Sequence, residues 1–100
     1  MKRIALGDGR WFNAESATLY QEGTQWDGHN YASVATGTQW DHESLWHTAG
    51  EAWVMHAWSD WQGSGEAYNV VSASEAARWL IRNNLDLPPT LVQTGAELEV

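Results

Sequence analysis

The chain has 100 residues, enough for one small domain and one hydrophobic core. Its 8 Trp, absent Cys and 5 basic against 13 acidic residues exclude disulfides, thiolate metal sites and thiol catalysis. No apolar run approaches the roughly 18–20 residues that a membrane span needs. The start, Met1 to Gly7, has too few apolar residues for a signal peptide, so a cytoplasmic protein is expected.

Charge is unevenly placed. Every Lys and Arg lies at position 2, 3, 10, 78 or 82, so Trp11 to Ala77 contains no fixed positive charge. The same window holds Glu15, Glu22, Asp27, Asp41, Glu43, Glu51, Asp60, Glu66 and Glu75. Phosphate backbones and anionic membranes are bound through clustered Lys and Arg. Direct nucleic-acid binding and membrane binding are therefore not expected. The acidic surplus keeps a Trp-rich chain in solution, and it also suits a protein partner with a basic or mixed surface.

In chain order, Lys2 to Leu6 predicts a short strand, Gly7-Asp8-Gly9 a turn, and Arg10-Trp11-Phe12 the returning strand. Asn13 is a good N-cap, and Ala14 to Glu22 predicts a short N-terminal helix stopped by Gly23. Thr24 to Thr38 is polar, without helical period, and predicts loop with a short strand at Tyr31 to Val34. Thr24-Gln25-Trp26-Asp27 recurs as Thr38-Gln39-Trp40-Asp41, either as two similar strand starts or by coincidence.

Asp41 to Thr48 and Glu51 to Ser59 predict a hairpin around Ala49-Gly50. With those two residues as the loop, Trp46 faces Trp53, Ser44 faces Met55, and Glu43 lies opposite His56. The face bearing Trp46, Trp53 and Met55 is then the core face, and a one-residue slip would invert that assignment. Trp61 to Gly65 predicts a turn and Glu66 to Ser72 a third strand. Ser72-Ala73-Ser74-Glu75 matches a capping box opening a helix over about 73–83. Ala76, Ala77, Leu80 and Ile81 form its apolar stripe, with Trp79 flanking it. Pro88-Pro89 forces extended chain, so residues 85–100 are expected to be an extended C-terminal tail on a single domain of residues 1–84. The fold class is α+β: an antiparallel β-meander covered on one face by the capped helix, with the N-terminal helix nearby.

From Gly37 to Asn83 the chain resembles a group of small, largely uncharacterised bacterial proteins. The matching residues include Leu45, Thr48, Gly50, Trp53-Val54, Trp58-Ser59, Trp61-Gln62-Gly63-Ser64, Tyr68, Ser72, Glu75-Ala76 and Trp79-Leu80. Some similar proteins continue into a ribbon-helix-helix-like DNA-binding tail. Here Pro88-Pro89, Glu97 and Glu99 follow instead, with no basic strand, so the resemblance does not imply DNA binding.

Among chemistry-bearing residues, Glu43 and His56 form a cross-strand carboxylate–imidazole pair in the expected register. No Cys and no paired His at helical spacing accompany them, so neither a metal nor another cofactor is expected. No nucleophile, oxyanion donor or phosphate loop accompanies them either, so the chain does not read as an enzyme. Trp11, Trp46, Trp53 and Trp79 are assigned to the core. Trp58, Trp61 and Gln62, around the polar turn, are the candidate exposed contacts, joined by Glu43 and His56.

The sequence thus points to a non-enzymatic protein-interaction or regulatory module using an acidic, Trp-bearing sheet face. A homodimer is a further option. The alternatives are a sugar- or nucleoside-binding module stacking on exposed Trp, or a phage- or plasmid-encoded inhibitor masking a basic nucleic-acid-binding surface.

Overall fold

A computed structural model describes residues 1–61, 63 and 65–100. The chain opens with a hairpin of β1 (Arg3–Ala5) and β2 (Trp11–Asn13). Its turn uses positive φ at Gly7 and Gly9, as the Gly-Asp-Gly string predicts. Asn13 does cap a helix, its Oδ1 accepting from the Glu15 amide at 3.1 Å, but that helix is one 3-10 turn, Ala14–Ser16. The predicted helix over 14–22 is not formed, because the chain continues into β3 (Thr18–Gln21). Thr18 and Tyr20 favour a pleated surface, and pairing with a central strand outweighs the weak helical stripe. Strand geometry sets Tyr20 against Trp53, with ring centroids 6.0 Å apart.

The polar stretch after Gly23 is a second small hairpin, β4 (Thr24–Trp26) with β5 (Tyr31–Ser33). Asp27 closes its turn by accepting from the amides of His29 and Asn30. The two Thr-Gln-Trp-Asp copies are not equivalent. The first lies in β4, whereas in the second Thr38 Oγ1 accepts from the amides of Trp40 and Asp41 and so launches β6.

β6 (Asp41–His47), β7 (Trp53–Ser59) and β8 (Ala67–Val71) complete a four-stranded antiparallel sheet of order β3-β6-β7-β8. The meander is as predicted, but the β6–β7 register is shifted by one residue. Leu45 pairs with Met55, Ser44 with His56, Glu43 with Ala57 and His42 with Trp58. The cause is the turn. Thr48 donates its amide to the Ala52 carbonyl at 2.9 Å, enclosing three residues, Ala49, Gly50 and Glu51. Glu51, not Gly50, takes the left-handed conformation, at φ 68. A three-residue loop ending in a left-handed residue is a standard hairpin connection.

The shift divides the predicted core face. Trp53, Met55, Leu45, Tyr20 and Val71 share one side of the sheet, and α1 (Ala73–Arg82) packs there. Trp46 lies on the opposite side against Phe12, with centroids 5.5 Å apart, beneath the β1–β2 hairpin. Trp53 and Trp79 are core residues, whereas Trp11 is 49% exposed and carries the Arg3 guanidinium over its ring. On α1 the buried stripe is Ala76, Ala77, Trp79 and Leu80, and Ile81 faces out. Asn83 ends the helix and is buried but satisfied. Its Nδ2 donates to the Trp79 carbonyl, and its Oδ1 accepts from the Gly23 amide.

The C-terminal segment is not an extended tail. Pro88 is extended, but Pro89 occupies the first position of a 3-10 turn, Pro89–Leu91, a place where its missing N–H costs nothing. That turn leads into α2 (Val92–Ala96). Leu91 is 1% exposed in the α1 core, flanked by Leu85, Leu87 and Leu98. The core under α1 therefore includes Leu85, Leu87, Leu91 and Leu98.

Two stability measurements check this packing. Leu91→Ala should cost about 2–5 kcal/mol by denaturant unfolding, whereas a frayed tail would give nearly none. The Ser72 Oγ accepts from the Glu75 amide at 3.1 Å, so Ser72→Ala should cost about 0.5–2 kcal/mol.

Candidate functional site

The sheet face opposite α1 carries a row of ring side chains, set by the shifted register. His42 stacks near Trp58 at 5.5 Å, Trp58 near His56 at 4.6 Å, and His56 on Tyr68 at 4.0 Å with planes 2° apart. Trp58 is half-buried within this row. The candidate pair Glu43 and His56 is separated, because the two residues lie on opposite faces of the sheet. Glu43 faces α1, where its Oε1 accepts from the Trp79 indole N–H at 3.1 Å. The carboxylate beside His56 is Glu66, at 2.8 Å from Nε2.

The histidine with the most tightly built surroundings is His42. Its Nδ1 lies 2.7 Å from Glu22 Oε2, and its Nε2 lies 2.8 Å from Asp60 Oδ2. Carboxylates only accept, so both contacts are hydrogen bonds when both ring nitrogens carry protons. The Glu22 hydrogen bond raises the His42 pKa above the ordinary imidazole value, helped by Asp60 and opposed by burial. Glu22 is itself held in place. Its Oε1 accepts from the Ser33 hydroxyl and from the Glu43 amide, each at 2.7 Å. One carboxylate thus ties the end of β3 to β5 and β6, and His42 extends the tie to the segment after β7.

The acids collect at one end of the sheet, where β6 begins, β7 ends and β8 begins. An open cleft of about 540 Å³ lies there, with Asp41, Glu43 and Glu66 in its walls alongside Thr36, Ala57 and Ser59. Trp40 and Trp61 leave the adjoining strand ends and pack together at 4.8 Å between centroids. They remain 41% and 58% exposed. The Asp60 amide donates to the Trp40 carbonyl at 2.8 Å, fixing the pair to the sheet. Of the sequence candidates, Trp58, Trp61 and Glu43 reach this end, Trp58 by its place in the cleft wall. Gln62 lies outside the described residues. Trp40, His42, Glu22 and Asp60 were not among the candidates, and the only hint in the sequence is the repeated Thr-Gln-Trp-Asp that precedes β6.

Among the described residues, no group of three or more His, Asp or Glu is placed to hold a metal ion. Glu22 and Asp60 sit on opposite ring nitrogens and do not converge. No helix among the described residues is long and apolar enough to cross a membrane. Comparison of the chain with family models, curated proteins and solved structures found no match in any of the three.

The His42 bonds set a pH dependence of stability. A pKa raised on folding means that the protonated form is stabilised, so the contribution is complete below about pH 6.5, the unfolded value. It is lost as pH rises through the higher folded pKa. Urea unfolding from pH 6 to pH 9 should therefore show wild type losing stability across that window. His42→Gln should be flatter, and equal slopes for the two proteins would contradict the assignment.

Proposed function

We propose that the chain is a non-enzymatic protein-interaction module that takes a basic segment of a partner protein at the acidic end of its sheet. The observation that carries this reading is the exposed Trp40–Trp61 pair beside a cleft walled by Asp41, Glu43 and Glu66. Trp is enriched, with Tyr and Arg, among the residues that anchor protein interfaces. Indole faces attract Lys and Arg side chains, and nearby carboxylates add to that attraction. The absence of Lys and Arg from Trp11 to Ala77 supports the same choice of partner, although Glu43 also has Arg78 and Arg82 of α1 near it.

A partner protein in the bacterial cytoplasm is the setting that fits a chain without cysteine. The segment from Trp58 to Trp61, part of the resemblance to small bacterial proteins, runs along this end of the sheet. Sugar or nucleoside stacking between Trp58 and Trp61 draws less support. Trp58 already has His42 and His56 against it, which leaves Trp61 and Trp40 as the open aromatic surface at this end of the sheet.

The test is a calorimetric titration with an arginine-rich decapeptide at low salt. Binding should weaken steeply at about 1 M salt, where screening shortens to roughly 3 Å. Trp61→Ala should reduce affinity about tenfold or more, whereas Ile81→Ser, exposed on α1, should leave it unchanged. No binding at low salt, or equal loss from both substitutions, would overturn the proposal.

A further inference from the structure

The Trp40–Trp61 pair adjoins two contacts that the ring of His42 can make together in only one protonation state. Asp60 is the residue just before Trp61, and its Oδ2 is 2.8 Å from His42 Nε2. Its amide is bonded to the Trp40 carbonyl. The opposite ring nitrogen is 2.7 Å from Glu22. An imidazolium donates to both carboxylates, while a neutral imidazole has one N–H and can serve only one of them.

Which bond survives deprotonation follows from the surroundings. The Glu22 side chain is 11% exposed and already accepts from Ser33 and Glu43, so it cannot retreat into water. Asp60 is 56% exposed and can. The single proton therefore stays on Nδ1, and the Nε2 lone pair is left facing the Asp60 carboxylate. Other charged groups lie nearby. Asp41 and Glu43 flank His42 on β6, and His56 and Glu66 lie beyond Trp58 on β7 and before β8. No Lys or Arg lies on these strands; Arg78 and Arg82 of α1 line a depression with Glu43, on the opposite face of the sheet from His42.

We propose that His42 is a proton-operated latch on the binding end of the sheet: its imidazolium holds Asp60, and with it Trp61, against Trp40, and its deprotonation releases them. The latch concerns the same surface as the proposed partner site and, as a control on partner binding, rests on that reading. The structural coupling itself does not. The binding end is closed and preorganised while His42 is protonated, and it loosens as pH rises through the raised folded-state pKa of the ring. Protonation of His42 and capture of a basic segment then reinforce one another, because both favour the ordered Trp pair.

The experiment follows the ring nitrogens of His42 and the indole N–H groups of Trp40 and Trp61 by nuclear magnetic resonance from pH 6 to pH 9. In the wild type both indole signals should shift with the same midpoint as the His42 ring. Asp60→Asn supplies both a donor and an acceptor, so it can meet the ring in either state. In that variant the indole shifts should vanish while His42 still titrates. Affinity for the arginine-rich decapeptide should fall several-fold above the midpoint in wild type and stay level in Asp60→Asn. Indole signals that ignore the His42 titration, or that move equally in Asp60→Asn, would overturn the latch. Coupled indole signals with no peptide binding at any pH would leave the latch standing and refute the partner reading. Peptide binding without coupling would do the reverse.

Discussion

Three turn residues, Ala49, Gly50 and Glu51, decide where every side chain of the central hairpin goes. Because a strand alternates faces with a period of two, a loop one residue longer or shorter exchanges the two sides of one strand relative to the other. With three residues enclosed, Leu45 joins Trp53 and Met55 under α1, and Trp46 joins Phe12 on the other side. The same register sets His42 beside Trp58 and gives Glu43 to the Trp79 indole. Holding Glu51 at positive φ costs a non-glycine residue about 1–2 kcal/mol. Burial of Leu45 and Val54, both wholly enclosed, is worth about 1.5–3 kcal/mol each and outweighs that cost.

Glu22 and His42 carry that register outward to the rest of the molecule. The small β4–β5 hairpin has little apolar surface to bury, and its Trp26 and Tyr31 are largely exposed. Its attachment is polar instead. Ser33 donates to Glu22, the Val34 amide to the Gly23 carbonyl, and the Gly23 amide to Asn83 at the end of α1. A chain with so few bases has few ways to neutralise a half-buried carboxylate. A histidine shared between Glu22 and Asp60 is the solution here, while Glu66 meets His56 and Glu43 shares a depression with Arg78 and Arg82 of α1. The surplus of acids over bases, together with the exposed indoles, is the physical basis for assigning a basic partner.

Local chemistry was legible from the sequence, and long-range pairing was not. The Gly7-Asp8-Gly9 turn, the Asn13 cap, the Ser72 cap and the hairpin around Ala49-Gly50 each depend on residues within a few positions, and each is found. Glu51 in the left-handed region runs against residue preference, so a two-residue loop was the natural expectation and the register came out one place off. That single displacement accounts for the mistaken Glu43–His56 pair. The N-terminal helix failed because strand pairing with β6, not local propensity, decides Thr18 to Gln21. In the C-terminal segment Pro88-Pro89 masked the pattern of Leu85, Leu87, Leu91 and Leu98 that fills the core. Of the candidate site, Trp61 was visible as an aromatic beside a polar turn. The Glu22–His42–Asp60 line joins residues 18 and 20 positions apart and needs the folded sheet to exist.

The register is the claim on which the faces, the histidine contacts and the binding end all depend, and cross-strand proton contacts measure it directly. In an antiparallel pair the non-hydrogen-bonded partners bring their Cα protons closest. The Thr48–Ala52 closure makes Leu45–Met55 and Glu43–Ala57 such partners. Strong Cα-proton contacts should therefore link Leu45 with Met55 and Glu43 with Ala57. Contacts linking Glu43 with His56 and Leu45 with Val54 in their place would contradict the account.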